Sequence, residues 1–340
     1  MNLVEPKPTK RAMIDIGRKC NVNCAFCYYS HLGDLRKQGF ELLSDMKHEI
    51  QQAHQRGNNY IDFTGGEPTI YPHLPALIEY ALSLGMKSCV ITNAICGEYG
   101  LQKLIDAGVD EFLVSIHGSQ CIHNKAVGHS TAREKQTRFL HQLMDNKMSV
   151  RFNCVINSEN QNELHHVAKW MLQWKPTIVN YINFNPHGDW SRDLDGMRKV
   201  VADLRKVEPE LTAAIDTLES KGTGVNVRYY PMCRIRKDLR RCICNDIHVT
   251  FDPYEWDYEI LPKTTEAHLH WGRVTSSNME HKTEPCNYCC LSTICGGINR
   301  TFHCATQGEA VDCVSDSSIE DKQDFYHYRK NNVLTLQERN

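Results

Sequence analysis

The chain has 340 residues, 41% of them hydrophobic and 24% charged, with a formal net charge of −2. That length can bury a large core and suits one main domain plus a smaller one, while the near-neutral balance gives no basic field for nucleic acid. Neither a signal-peptide core nor an apolar run of about 18 residues is found, so a membrane anchor is not expected and a reducing, cytoplasmic setting is.

From about residue 11 to 185, short β-like runs (12–17, 60–65, 87–92, 111–117, 150–156, 177–184) alternate with helix-like stretches (42–57, 73–85, 101–108, 133–146, 161–174). Alternation of this kind predicts right-handed βαβ units and a parallel sheet. Six units are too few for a closed eight-fold barrel; they suit a partial barrel or an open doubly wound sheet. A further helical stretch covers about 196–220. After Gly224 the alternation stops, and residues 247–262 read as a hairpin around Asp252 and Pro253. The domain boundary is placed near residue 222, giving a core of 1–222 and a small cysteine-rich α+β domain of 223–340 with a polar, frayed end.

There are 16 cysteines, and in a reducing compartment clustered cysteines bind metal more often than they pair. Three lie in residues 20–27 and nine in 233–313. Cys20, Cys24 and Cys27 follow the first strand, at the carboxyl edge of the sheet where parallel α/β proteins build their sites. The same edge collects Gly65, Gly66, Glu67 and Pro68 after the second strand, Thr92 and Asn93 after the third, and Ser115 and His117 on the fourth. Asn153 lies in the fifth, and 183–189 end the sixth. Three thiolates on a cubane leave one iron open, so an incomplete ligand set is a reactive one. Half of a zinc site completed from elsewhere is the competing reading. Gly65 and Gly66 permit close backbone approach and Pro68 holds Glu67 extended, although the segment alone is also an ordinary turn. Ser115 and His117 share a strand face, as do Arg151 and Asn153. Barrel filling competes with ligand contact for Ser115 and Asn153, and His117 reads as a positioning or packing residue.

The Cys-x3-Cys-x2-Cys spacing with Phe26 before the last cysteine, together with the Gly-Gly-Glu-Pro of residues 65–68, resembles the signature of the radical S-adenosylmethionine (radical SAM) superfamily over about residues 11–220. The resemblance implies an α/β fold with a partial (β/α)6 barrel, in which Cys20, Cys24 and Cys27 hold a 4Fe–4S cluster whose open iron chelates S-adenosylmethionine. It further implies reductive cleavage to methionine and a 5′-deoxyadenosyl radical that takes a hydrogen atom from the substrate. Phe26, Gly65, Gly66, Glu67, Ser115 and Asn153 become cofactor-binding residues, and a flavodoxin- or ferredoxin-type protein the electron donor.

Cys286-x2-Cys289-x5-Cys295, followed by Cys304 and Cys313, resembles the SPASM auxiliary-cluster domain. Two features depart from that pattern: Asn299 stands where it has a cysteine, and the glycine-then-cysteine pair around the hairpin is missing. The resemblance implies one auxiliary 4Fe–4S cluster on Cys286, Cys289, Cys295 and Cys313. A second could use Cys233, Cys242, Cys244 and Cys304, with structural zinc as the alternative at either site. An auxiliary cluster could carry electrons, bind substrate through an open iron, or brace the domain.

Arg228, Arg234, Arg236, Lys237, Arg240 and Arg241 form a basic run that is either a solvated face or, over the barrel mouth, a lure for an anionic substrate. Tyr254, Trp256 and Tyr258 alternate as packing or stacking residues. Cys96 and Cys121 could return a hydrogen atom to a substrate radical, or be simple small apolar side chains. Three functions compete. The first is a radical SAM enzyme that dehydrogenates or epimerises a small-molecule, sugar or nucleotide-like substrate; the second is a peptide maturase; the third is a non-catalytic iron–sulfur electron-transfer protein. Only about ten residues precede the first strand, leaving no room for a leader-binding module, so the expectation leans to a small molecule. No room is left for a cobalamin domain either.

Overall fold

A computed structural model describes residues 11–27, 39–186, 190, 193–243, 281–308 and 311–316. Seven strands run parallel in sequence order: β1 (Arg11–Asp15), β2 (Tyr60–Thr64), β3 (Lys87–Thr92), β4 (Glu111–Ser115), β5 (Ser149–Ile156), β6 (Ile178–Asn183) and β7 (Gly224–Arg228). The crossovers carry α1 (Leu43–Gln55), α2 (Leu74–Ser83), α3 (Glu98–Asp106), the pair α4 (Gln120–Val127) and α5 (Ala132–Asp145), α6 (Leu164–Met171), and the pair α7 (Leu194–Val200) and α8 (Leu204–Glu219). Among the described residues the ends of the sheet, β1 and β7, do not pair with each other, so the sheet is an open half-barrel; beyond β7 there is a single parallel bridge from Val227 to Ile243. No helix among the described residues is long and apolar enough to cross a membrane.

Strand alternation assigns the two faces. Ile14, Phe63, Val90, Phe112, Phe152 and Tyr181 enter one apolar cluster with the helices, while Asp62, Glu111, Arg151, Asn153, Asn180 and Asn226 occupy the opposite, inner face. A parallel sheet ordinarily buries apolar residues on both faces, so a polar inner face marks a surface built for something other than packing.

The partial barrel expected from the sequence is present with one more strand than the six units read. β7 lies beyond the boundary placed at residue 222, directly after the turn at Gly222 and with no further crossover helix described behind it. The eight-residue α4 also escaped the pattern; it stops at Gly128, whose φ of 64° closes it. The helical stretch of 196–220 is two helices, each capped by an aspartate: Asp193 accepts from the Gly196 N–H at 2.8 Å and Asp203 from the Arg205 N–H at 3.0 Å. The expected hairpin, Tyr254, Trp256, Tyr258 and Cys244 lie outside the described residues.

Near the amino edge of the strands, charge fills the half-barrel. Arg11 bridges Asp62 (2.6 Å) and Glu111 (2.7 Å), and Arg151 meets the same Glu111 oxygen at 2.7 Å. The Arg11 guanidinium also stacks 3.7 Å from the Tyr60 ring centroid. Burial alone would push the Glu111 carboxyl up, but Arg151 and Arg11 outweigh it and hold it below the usual carboxylate range. Two cations balance two anions, which is the condition for keeping them out of water.

Candidate active site

Beyond Asp15 the chain turns at Gly17 (φ 114°) into the cysteine loop, which three neighbours pin. From the exit of β2, the Gly66 N–H donates to Gly17 O at 2.8 Å and the Glu67 N–H to Lys19 O at 2.9 Å. At the end of α4, Val127 O and Ala126 O accept from the Asn23 and Ala25 N–H groups at 2.9 and 2.8 Å. On the exit of β3, Asn21 Nδ2 donates to Ile95 O and Asn93 Nδ2 to Asn21 Oδ1, both at 2.7 Å. Val22 packs with Ile95, Val127 and Ala132, with Cys20 and Cys24 against the same cluster. Cys20, Cys24 and Cys27 are thereby held half-buried and outside any disulfide.

The two glycines of 65–68 are dictated by contact. A Cβ on Gly65 (φ 135°) would lie 2.5 Å from Gly17 O, and one on Gly66 2.2 Å from Lys19 O. The Glu67 side chain does something the sequence did not foretell. It is 1% exposed and accepts from the Thr69 N–H (3.0 Å), the Thr69 and Thr92 hydroxyls (both 2.6 Å) and the Asn93 N–H (2.7 Å). Burial raises its pKa and these four hydrogen bonds oppose the rise. The carboxylate therefore staples the exit of β2 to that of β3. Ala94 follows with φ 57°, a left-handed geometry that costs a non-glycine residue about 1–2 kcal/mol. The Thr92 hydroxyl and Asn93 Oδ1, accepting from the Ala94 and Ile95 N–H groups at 2.8 Å, hold it there.

Ser115, Asn153, Asn180 and Asn226 are successive cross-strand partners on β4 to β7 and form one row on the inner face. Asn226 Nδ2 donates to Asn180 Oδ1 at 3.2 Å, and Asn180 Nδ2 to Asn153 Oδ1 at 2.9 Å. This chain fixes the orientation of the Asn153 amide and leaves its two N–H donors without a protein acceptor among the described residues. Both Asn153 and Ser115 are half-buried. Asn180 and Asn226 were not singled out from sequence, although each interrupts an apolar strand at an inner-face position. His117 lies beyond Ser115, its ring edge-on to Phe26 at 4.6 Å. Its Nδ1 accepts from the Val155 N–H at 3.1 Å, and burial pushes its pKa down to about 3, so it is a neutral packing residue.

Other expected residues disperse. Cys96 lines a cavity with Lys135 and Arg138 between α3 and α5, in the helical layer, where burial pushes its thiol up to about 12. Cys121 is exposed on α4. The basic run is largely neutralised: Arg234 pairs with Asp312, Arg236 with Asp216 and Asp238, Lys237 with Asp316, and Arg241 with Glu219. Paired cations are poor bait for an anionic substrate. Arg228 ends β7 on the inner face, 9% exposed.

Toward the C-terminus, Cys286, Cys289 and Cys295 gather round one small cavity, and the fourth cysteine lining it is Cys233. Cys313, expected in that place, is exposed, as is Cys304 on α9 (Arg300–Ala305). Cys242, assigned with Cys233, Cys244 and Cys304 to a second cluster, is buried between Arg241 (3.2 Å) and Glu219 (3.6 Å). Asn299 has taken other work. It caps α9 by accepting from the Thr301 and Phe302 N–H groups, and its Nδ2 donates to Asn185 Oδ1 at 2.8 Å, tethering this segment to the exit of β6.

The donor sets, three thiols on one loop and four round one cavity, are of the all-thiol kind that iron–sulfur clusters take. Tetrahedral zinc with Zn–S of about 2.3 Å would draw its sulfurs to within roughly 3.8 Å of one another. Among the described residues the group of three whose donor atoms all lie within 4.8 Å is Asp62, Cys89 and Glu111, two of them already held by arginines, and no cysteine set is that tight. The loop cysteines offer three half-buried thiols on one pinned loop.

Residues 14–171 match the Radical SAM superfamily. An Fe-coproporphyrin III synthase of Methanosarcina barkeri is 28% identical over 166 residues, 48% of this chain and 41% of that protein. A PqqA peptide cyclase of Bradyrhizobium diazoefficiens is 23% identical over 195 residues, 56% of this chain and 51% of that protein. The chain thus spans about half the length of the curated relatives it matches. Among solved structures, native anSMEcpe with bound AdoMet has a TM-score of 0.55 at 16% identity, covering 98% of this chain and 100% of that one. Streptococcus suis SuiB bound to precursor peptide SuiA has a TM-score of 0.52 at 16% identity, covering 65% and 48%. The matched residues hold the three-cysteine loop, the stapling glutamate and strands β2 to β5, so residues 14–171 of the chain are a radical SAM superfamily domain.

Proposed function

We propose that this chain is a radical SAM enzyme that modifies a peptide, drawing electrons from a flavodoxin- or ferredoxin-type protein. The observation that carries the reading is the half-buried trio Cys20, Cys24 and Cys27, on a loop pinned by the exits of β2 and β3 and the end of α4. Bound there, a 4Fe–4S cluster with S-adenosylmethionine supplies reductive sulfonium cleavage and hydrogen-atom abstraction. The three thiolates hold the cluster, and the backbone of Gly65 to Glu67 keeps their loop in place. Asn153, oriented by Asn180 and Asn226, offers N–H groups to a cofactor oxygen. Neutral His117 braces Phe26, and the helical layer keeps water and stray hydrogen donors from the outer face.

A peptide substrate is supported by three likenesses. One relative is named a PqqA peptide cyclase, SuiB was solved with a precursor peptide, and anSMEcpe with a Cp18Cys peptide. An open half-barrel, whose end strands β1 and β7 do not pair with each other, leaves its inner face accessible. The small-molecule expectation rested on the short segment before β1 and yields to these likenesses. The test uses anaerobically reconstituted, reduced protein with S-adenosylmethionine and an extract of source cells grown in deuterated medium, split into peptide and small-molecule fractions. Deuterium in 5′-deoxyadenosine from the peptide fraction is expected, with Cys24→Ala forming none. Transfer from the small-molecule fraction alone would overturn the peptide reading, and no 5′-deoxyadenosine under any condition would overturn the enzyme.

A further inference from the structure

Four thiols from two distant stretches of chain share one cavity. Cys233 sits in the single turn Met232–Arg234, four residues after β7, while Cys286, Cys289 and Cys295 come from the segment that begins at His281. Each of the four is half-buried, and none is in a disulfide. Three of the sulfurs already have hydrogen-bonding neighbours of the kind that tune a bound thiolate: the Asp312 N–H lies 3.3 Å from Cys233 Sγ, the Gly297 N–H 3.4 Å from Cys295 Sγ, and Thr283 Oγ1 3.6 Å from Cys286 Sγ. At Gly297 a Cβ would lie 2.2 Å from His281 O, so the backbone there is close-packed by design of the loop rather than loosely draped. Cys313, one residue beyond Asp312, is exposed, and it is the main chain of Asp312 that turns toward the cavity.

We propose that Cys233, Cys286, Cys289 and Cys295 are the four ligands of one auxiliary iron–sulfur cluster, with Cys233 in the place that the SPASM pattern gives to Cys313. The set is closed: four thiolates fill four irons and leave no vertex for substrate, so the centre serves electron transfer or bracing. It also clamps the exit of β7 to the C-terminal segment, a link that Arg234 to Asp312 (2.7 Å) and Asn299 to Asn185 (2.8 Å) reinforce from either side. The proposal rests on membership of the superfamily and is independent of the substrate class.

The test isolates this centre in a Cys20→Ala/Cys24→Ala/Cys27→Ala background, reconstituted with iron and sulfide and read by metal analysis and Mössbauer spectroscopy. About four irons per chain are expected. Adding Cys233→Ala should abolish the four-iron signal, while Cys313→Ala and Cys304→Ala should keep it unchanged. Should Cys233→Ala fail to fold, alkylation of the unmutated, reconstituted protein gives the answer: Cys313 and Cys304 are modified, and Cys233, Cys286, Cys289 and Cys295 react only after chelation. Loss of the signal in Cys313→Ala with retention in Cys233→Ala, protection of Cys313 with labelling of Cys233, or uptake of zinc in place of iron would each overturn the assignment.

Discussion

Replacing Gly66 by alanine tests how the strand exit controls the cysteine loop. The new Cβ would stand 2.2 Å from Lys19 O, 2.5 Å from Lys19 C and 2.6 Å from Arg18 O, all backbone atoms that no rotamer change can move. Restoring a 3.0 Å contact from 2.2 Å requires the loop to retreat by about 0.8 Å. That retreat strains the Glu67 N–H to Lys19 O bond (2.9 Å) and the Gly66 N–H to Gly17 O bond (2.8 Å). Overpacking of this kind costs about 1–3 kcal/mol, a fraction of the roughly 5–15 kcal/mol that a domain holds, so Gly66→Ala should fold with a lowered melting temperature. Function should suffer more than stability, because Cys20 follows Lys19 directly and a displacement near 1 Å costs on the order of 100-fold where geometry sets the rate. Thermal melting, iron content and 5′-deoxyadenosine formation are measured together. Gly100→Ala is the control: it lies inside α3 with nothing within 4 Å of its Cβ, and should stabilise by about 0.5–1 kcal/mol. A Gly66→Ala protein with parental iron content and a cleavage rate within about twofold of the parent would refute the argument.

Glu111→Gln keeps the shape of the inner charge cluster but removes the anion shared by Arg11 and Arg151; a loss of about 3–5 kcal/mol is expected in urea titration, and a loss below about 1 kcal/mol would show that the two guanidiniums do not depend on it. His117 has a folded pKa of about 3 against 6.5 unfolded, so between these values the unfolded chain binds the extra proton and stability falls as pH drops from about 6.5 toward 3, with no contribution above 6.5. His117→Gln should flatten that part of the urea-midpoint profile; an unchanged slope would sink the assignment. Asn180→Leu breaks the amide chain and frees Asn153 to turn over. Equilibrium dialysis should show S-adenosylmethionine affinity weakened by about 3- to 10-fold at unchanged iron content, the worth of one oriented hydrogen bond. Unaltered affinity would mean that the row does not address the cofactor.

Local chemistry was legible in the sequence wherever neighbours in the chain are neighbours in the site. The spacing of Cys20, Cys24 and Cys27 and the glycines at 65 and 66 are such cases, as are six strands whose apolar runs alternate with helices. Glu67 shows what such reading leaves out. Its place on the reactive edge was evident, but burial and the hydroxyls of Thr69 and Thr92 turned its carboxylate into a staple. Asn299 is similar: a cysteine missing from a pattern is a gap in sequence and a helix cap with a tether in space.

What the sequence determined by itself is the chemistry on offer: which residues could bind iron, where strands begin and end, and that the sheet is parallel, since these follow from side-chain type and short-range periodicity. Tertiary structure alone decided the partnerships. Strand register joined Asn153, Asn180 and Asn226, residues 27 and 46 positions apart, into one oriented row. Folding likewise brought Cys233 to cysteines more than 50 positions away, and set Arg11 against Glu111 across 100. Contacts at such separations depend on how loops close and sheets pair, and no window of neighbouring residues carries that information.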